Sequence, residues 1–458
     1  MMDKTISQQI ATAFSDVKLN DLPRGVREKC AQSIIDTVGL TIAALETDYG
    51  IATRQAFDDD GCATVFGLDR GFSPDSAAII NGTCGHGEDF DNTFEGCPVH
   101  TGVVLVPALL AAMERYGFSS DRPAIGLATG IETMCRLGIV ANKYVHSAGF
   151  HPTGVIGAIA AAVGVSVARK LNYKQIVNAM GVAGSMASGI IEYLADGSST
   201  KRLHPGWAAH CGIRASAMGG AGFSGPISVF EGEHGFFHAF ANRTDIDFAP
   251  LIEDLGKDWV TCHLAFKPFA CGTMTQPYVD CAIELAKKVV DLETIESIEC
   301  EVGEGTVHRL WAPSETKQSP PTAYAAKFSG PYCVASGLYY RDAGLSEFTD
   351  VAVQNPDVLK IARKVTYVID PLNPYPKNYT GHIRLKLRSG NVLEARSPCL
   401  RGGAQAPMST SEIIDKCKAN TEFGGRDISG ANVIADFSER LMSGDSSASV
   451  SILRRAGT

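Results

Sequence analysis

From residue 22 to about residue 265, apolar side chains recur at helical spacing with few interruptions. Pro23 stands where a first helical turn begins, and Val26, Cys30, Ile34 and Val38 follow at four-residue intervals. The same period predicts helices over 75–84, 103–116, 124–140, 153–170, 173–193 and 206–219. Small residues in 154–168 and 179–189 would let helix backbones approach closely. After Phe266 the period changes. Residues 295–302 read as a strand, and 382–387 and 392–396 as a hairpin turning through Ser389-Gly390-Asn391. Helical patterns at 276–290, 323–340 and 357–365 sit among these strands, and the helical period returns at 411–418 and 434–442. At 458 residues the chain exceeds what one hydrophobic core normally supports, so two domains are expected, with the C-terminal helices packing back onto the first.

Composition narrows the function classes. Hydrophobic residues at 45% and charged residues at 20% are the balance of a globular enzyme rather than a disordered chain. A net charge of −9 without a Lys/Arg run argues against nucleic acid or an anionic membrane surface as partner. The longest apolar stretch, 154–168, falls short of the roughly 20 residues a membrane span needs and reads as a buried helix. Thirteen scattered cysteines, an odd number with no C-x-x-C pair, argue against a disulfide framework and against zinc. The first 25 residues lack an apolar signal core, so a cytoplasmic protein is the expectation.

Against this apolar background stands a polar segment, GHGEDFDNTFEGCPVH at 85–100, with two aspartates, two glutamates and two histidines. Its Asp and Thr residues could simply cap two helices. Ionisable groups beside apolar helices are otherwise paired, shifted in pKa or engaged with a ligand. Four further polar islands interrupt apolar sequence: Gly149-Phe-His-Pro-Thr153, Ser199-Thr-Lys-Arg-Leu-His-Pro-Gly206, Phe266-Lys-Pro-Phe-Ala-Cys271 and Lys327-Phe-Ser-Gly-Pro-Tyr332. Lys201 and Arg202 alone would pass for a solvated helix start. Lys267, inside an apolar run, would be costly unless an anion met it. The G-x-G-x-x-G match at 220–225 follows a helical pattern rather than a strand, and no P-loop, nucleophile elbow or H-E-x-x-H occurs.

Taken together and in this order, the segments GHGEDFDNTFEGCPVH, GFHPTGVIGAIAAA, STKRLHPGWAA, GPISVFEGEHGFF, FKPFACG and AAKFSGPY resemble the MmgE/PrpD family over nearly the whole chain. That family includes 2-methylcitrate dehydratases, cis-aconitate decarboxylases and an iminodisuccinate epimerase. The resemblance implies a mainly α fold: a large helical domain from 1–265 and 401–458, with a smaller α+β lid domain inserted at 266–400. It further implies a homodimer, a small di- or tricarboxylate substrate, and chemistry without metal or organic cofactor. By motif position, Asp89, Thr93, His100, His151, Lys201, Lys267 and Tyr332 match the family's active-site positions. Two motifs depart from the common pattern, where DFDDTH becomes Asp89-Phe-Asp-Asn-Thr-Phe94 and KPYPCC becomes Lys267-Pro-Phe-Ala-Cys-Gly272. Asn92 and Phe94 would then remove an acid and a histidine from the site's rim and alter the size or polarity of the bound molecule.

In this reading His100 is the principal general acid/base, with Asp89 and Thr93 orienting it or the substrate. His151 and Tyr332 supply the second proton-transfer or leaving-group contact. Lys201 and Lys267, joined by His204, clamp the negative charge that builds next to a carboxylate. The leading expectation is a lyase dehydrating a 2-methylcitrate-like hydroxy acid through a carboxylate-stabilised carbanion. Alternatives are a cis-aconitate-type decarboxylase, an epimerase that reprotonates the same carbanion on its other face with Glu95 as a spare acid, and, last, a non-catalytic carboxylate-binding dimer.

Overall fold

A computed structural model of the protein describes residues 4–118 and 121–457. The chain is mainly α and divides into two compact units, Met1–Ala265 with Ser409–Thr458, and Phe266–Met408. Up to residue 265 the long helices are α1 (Arg24–Ala44), α2 (Pro74–His86), α3 (Gly102–Tyr116), α4 (Arg122–Ala141), α5 (Pro152–Ala168), α6 (Tyr173–Met186) and α7 (Thr200–Gly220). Two short antiparallel pairs accompany them, β1 (Asp60–Thr64) with β2 (Gly71–Phe72), and β3 (Thr93–Phe94) with β4 (Leu264–Ala265). The second unit contributes α8 (Gln276–Ala286), β5 (Ile295–Val302), α9 (Gly330–Tyr339), β6 (Val365–Ile369), β7 (Gly381–Leu387) and β8 (Val392–Ser397). Helices α10 (Thr410–Phe423) and α11 (Gly430–Ser443) return to the first unit and pack on α1.

All 17 residues of α5 are buried. A helix apolar on every side has to be enclosed, and α3, α4, α6 and α7 surround it. By length and composition α4 could cross a membrane, yet 94% of its apolar window is buried, the packing of a core helix. Close approach of α2 and α7 depends on glycine. A Cβ on Gly206 would stand 2.3 Å from the Ile79 carbonyl oxygen, and one on Gly82 would stand 2.5 Å from the Gly206 Cα. Gly206→Val therefore forces apart the two helices that carry His86, Lys201 and His204. We expect it to lower the urea midpoint by an amount equivalent to at least about 1–3 kcal/mol; an unchanged midpoint would contradict this packing.

In the second unit a four-stranded sheet has the order β6-β5-β7-β8, with β5 and β6 parallel and the other neighbours antiparallel. Helix α8 packs on β7 and β8, and α9 packs on α8.

Several element boundaries differ from the sequence pattern for identifiable reasons. Helix α7 begins at Thr200 rather than Gly206 and carries Pro205 inside it, running through a residue that cannot donate a backbone bond. Helix α6 stops at Met186, because Ala187 is extended, and leaves 187–199 as a connecting segment. The expected helix 323–340 is broken at Lys327–Ser329, where the Ser329 hydroxyl accepts the Tyr332 N–H and starts α9 afresh. The expected helix 357–365 ends at Ala362, and Val365 opens β6 beside β5.

Candidate active site

Helix α2 is started by Ser73, whose hydroxyl accepts the Ser76 N–H, and ends at His86 with the imidazole fully buried. The chain then turns through Asp89, a non-glycine residue held at φ 52°. Aspartate tolerates that left-handed conformation better than most residues, and such strain concentrates at functional sites. Two residues on, the Asp91 carboxylate is wholly buried and lies 3.0 Å from Nδ1 of both His86 and His100. His100 Nδ1 also lies 3.1 Å from the Asn92 carbonyl, and its backbone N–H donates to Thr153 Oγ1.

From the other side, His151 immediately precedes α5, and its Nδ1 stands 3.1 Å from Nδ1 of His204, on the first turns of α7. Ring centroids form a chain, 4.7 Å from His100 to His86, 5.7 Å from His86 to His151 and 5.3 Å from His151 to His204. Tyr193 lies 6.1–6.2 Å from the last two rings. Lys201, in the first turn of α7, pairs with Asp89 at 3.2 Å. A cation there opposes the helix dipole, so its position needs local anions to support it. Gly189 lets the 187–199 segment pass the cluster: it has φ 131°, and a Cβ on it would press on the His204 ring at 3.1 Å.

The electrostatics follow from this packing. Burial lowers the proton affinity of His86 and His204 to a pKa of about 4, the positive neighbour Lys201 acting in the same direction, and burial pushes His151 well below its usual value. Burial raises Asp91, but the two imidazoles it bonds outweigh that and hold it well below the carboxylate range. Burial also disfavours the Lys201 ammonium, and Asp89, with Tyr193 and Asp91, more than offsets it, so Lys201 stays charged. A histidine depressed on folding carries no cost above its unfolded value of about 6.5 and a growing cost as pH falls from there towards about 4. The urea midpoint should therefore fall between pH 7.5 and pH 5, and fall less in His204→Asn; equal midpoints at the two pH values would contradict these burial costs.

A second ring of contacts fixes the loop. The Asn92 side chain donates to Ser33 and accepts the Gly102 N–H at 2.9 Å, and its backbone N–H donates to Asp36. Asp36 in turn pairs with Lys416 of α10 at 2.7 Å, and Lys416 also donates to the Phe90 carbonyl. Asn92 is 0% exposed and Phe94 is buried in β3. Both residues belong to the buried framework of the loop, and the Asn92 side chain is spent on shaping it. Arg202 is likewise structural, donating to the Gly87 carbonyl and lying over the Tyr49 ring. Glu95 is exposed.

The first unit thus brings together Asp89, His100, His151, Lys201 and His204, while Thr93 pairs with Ala265 in the short β3–β4 ladder beside Asn92. Lys267 and Tyr332 belong to the second unit. There the Lys267 loop is held by Gln276, which accepts the Phe269 N–H and donates to the Phe269 and Cys271 carbonyls. Gly272 N–H bonds the Lys327 carbonyl, bringing this loop next to the segment that leads into α9. Tyr332 is fully buried, its hydroxyl donates to the Glu347 carbonyl at 2.7 Å, and burial raises its pKa.

Sequence reasoning assigned no role to His86 or Asp91, although their five-residue spacing across a helix end was a usable signal. Together with His100 they offer three donor atoms within 4.8 Å of one another, the grouping among the described residues that comes nearest to a cation site. In this arrangement those atoms are spent on each other, the two Nδ1 atoms facing one carboxylate.

The MmgE/PrpD N-terminal domain matches residues 8–249 and the MmgE/PrpD C-terminal domain matches residues 269–435. A cis-aconitate decarboxylase-like protein of Aspergillus oryzae is 25% identical, the match covering 90% of this chain and 89% of that protein. The cis-aconitate decarboxylase of Mus musculus is 26% identical over 92% of this chain and 87% of its own length, and that of Aspergillus terreus is 23% identical over 90% and 88%. With both of its domains matched across nearly the full length, this chain belongs to the MmgE/PrpD family.

Proposed function

We propose that this protein is a lyase of a small tricarboxylate, releasing CO2 from a cis-aconitate-like acid. One observation carries the reading: four imidazoles and the Lys201–Asp89 ion pair share one buried cluster. The names of the relatives support the substrate class and the choice of decarboxylation over the other lyase reactions. In the reaction the C–CO2 bond breaks and its electron pair enters the adjacent unsaturated acid as a carboxylate-stabilised carbanion. A proton delivered through His100 then forms the new C–H bond. Lys201, charged and already in place, holds the carboxylate on which negative charge grows, a contribution of a few kcal/mol to the barrier.

Dehydration of a hydroxy acid is the second reading, favoured by the His151–His204 pair. Eliminating water needs one group to take a carbon-bound proton and another to protonate the departing hydroxyl, and this pair is a second proton-transfer group distinct from His100. Incubating the protein with a panel of di- and tricarboxylates in D2O, followed by NMR, separates these outcomes. CO2 release with one deuterium on the product carbon is expected, unchanged by EDTA. Water loss would favour the second reading, exchange with inversion would make the protein an epimerase, and silence across the panel would remove the lyase reading.

A further inference from the structure

None of the proton transfers or charge contacts above uses His86, yet it stands at the centre of the ring chain. Its Nδ1 lies 3.1 and 3.0 Å from the two oxygens of Asp91, and the nearer of these is also 3.0 Å from His100 Nδ1. An ionised carboxylate only accepts hydrogen bonds, so both Nδ1 atoms carry protons and both Nε2 atoms are the open ends. The Nε2 of His86 is buried without a hydrogen-bond partner. Leaving such an atom unsatisfied is costly, a penalty an apolar residue of similar shape would avoid. The groups facing the ring are Asp91 and His100 from the following loop, His151 from the start of α5, and Lys201 and His204 from α7.

We propose that His86 is a positioning residue for His100, acting through the carboxylate they share. By bonding Asp91 it keeps that carboxylate ionised and oriented, which fixes His100 as the Nδ1–H tautomer with Nε2 directed to the substrate. It also takes up part of the carboxylate's charge, so His100 can release its proton. The inference rests on the reading of His100 as the acid/base group.

Two substitutions separate positioning from mere packing. His86→Phe keeps a ring and removes the donor, whereas His86→Asn keeps an N–H near the Nδ1 position. In His86→Phe the charge of Asp91 falls on His100 alone, so the limb of the pH–kcat profile should move up by about one pH unit. Its kcat should fall about tenfold to a hundredfold, part of what an acid/base group contributes, with KM nearly unchanged. His86→Asn should restore both. Histidine-15N NMR of the substrate-free protein should show the Nδ1–H tautomer of His100 in all three proteins, with the His100 imidazolium persisting to about one pH unit higher in His86→Phe than in the wild type and His86→Asn. Should His86→Phe not fold, His86→Gln, with its N–H near the Nε2 position, takes its place. An unmoved limb with an unchanged His100 titration, or equal impairment of the Asn and Phe variants, would overturn the proposal. If no acid is turned over at all, the lyase reading fails and the NMR result alone decides the role of His86.

Discussion

Replacing His100 with alanine should lower turnover about 10²- to 10⁴-fold, the usual contribution of a placed general acid/base. The reason lies in how completely the ring is committed on one side. Nδ1 faces the Asp91 carboxylate and the Asn92 carbonyl, and the backbone N–H is tied to Thr153. Only Nε2 is left to exchange a proton with a bound acid. Removing the imidazole deletes that exchange and leaves His86 to hold the buried Asp91 carboxylate, while the loop stays anchored through Asn92. His100→Ala should therefore cost about 1–3 kcal/mol in urea unfolding, the loss of one partner of a buried group, and leave the protein folded under assay conditions. Rapid-quench or NMR rates on the acid identified by the panel give the kinetic number, and undiminished turnover would remove His100 from the chemistry.

The second large effect concerns stability. Lys416→Met should cost about 3–5 kcal/mol, because it strands a buried carboxylate. Asp36 is 0% exposed at its side chain and pairs with the Lys416 ammonium at 2.7 Å. The same ammonium bonds the Phe90 carbonyl and lies 3.7 Å from the Phe90 ring centroid, so its loss loosens the loop that presents Asp89 and Asp91. Urea unfolding of the single variant and of Asp36→Asn/Lys416→Met provides the check. The double variant should recover much of the loss, since no buried charge remains, and a single variant as stable as the wild type would contradict the pairing.

These two residues show what could be read from the sequence and what could not. The helices around α5 were legible because a continuous apolar run of that length has few other solutions, and β5 was legible because its residues alternate between two faces. The polar islands were legible as anomalies, and their shared order pointed to the family. Convergence of those islands is a different matter. Asp91 and His86 lie five residues apart, but Asn92 and Asp36 are separated by 56 and Lys416 and Phe90 by 326, beyond any local periodicity. Asn92 looked like a change at the substrate because its partners Ser33 and Asp36 sit on α1. His86 closes α2, a placement the helix dipole explains by itself, so nothing in the local sequence singled it out. Lys201 beside Arg202 looked like a solvated helix start, because its pairing with Asp89 comes from a distant segment and leaves no local signal. The break before α9, by contrast, was written in the sequence: Ser329 followed by Pro331 is a helix start, overridden by the apolar period on either side.

A crystal structure of the protein with propane-1,2,3-tricarboxylate, a saturated acid that cannot react, tests most directly whether this cluster serves a polycarboxylate. The account predicts one carboxylate within hydrogen-bond distance of the Lys201 ammonium and the carbon skeleton in reach of His100 Nε2. Density for the acid at a position remote from both, with the imidazole cluster undisturbed, would contradict it.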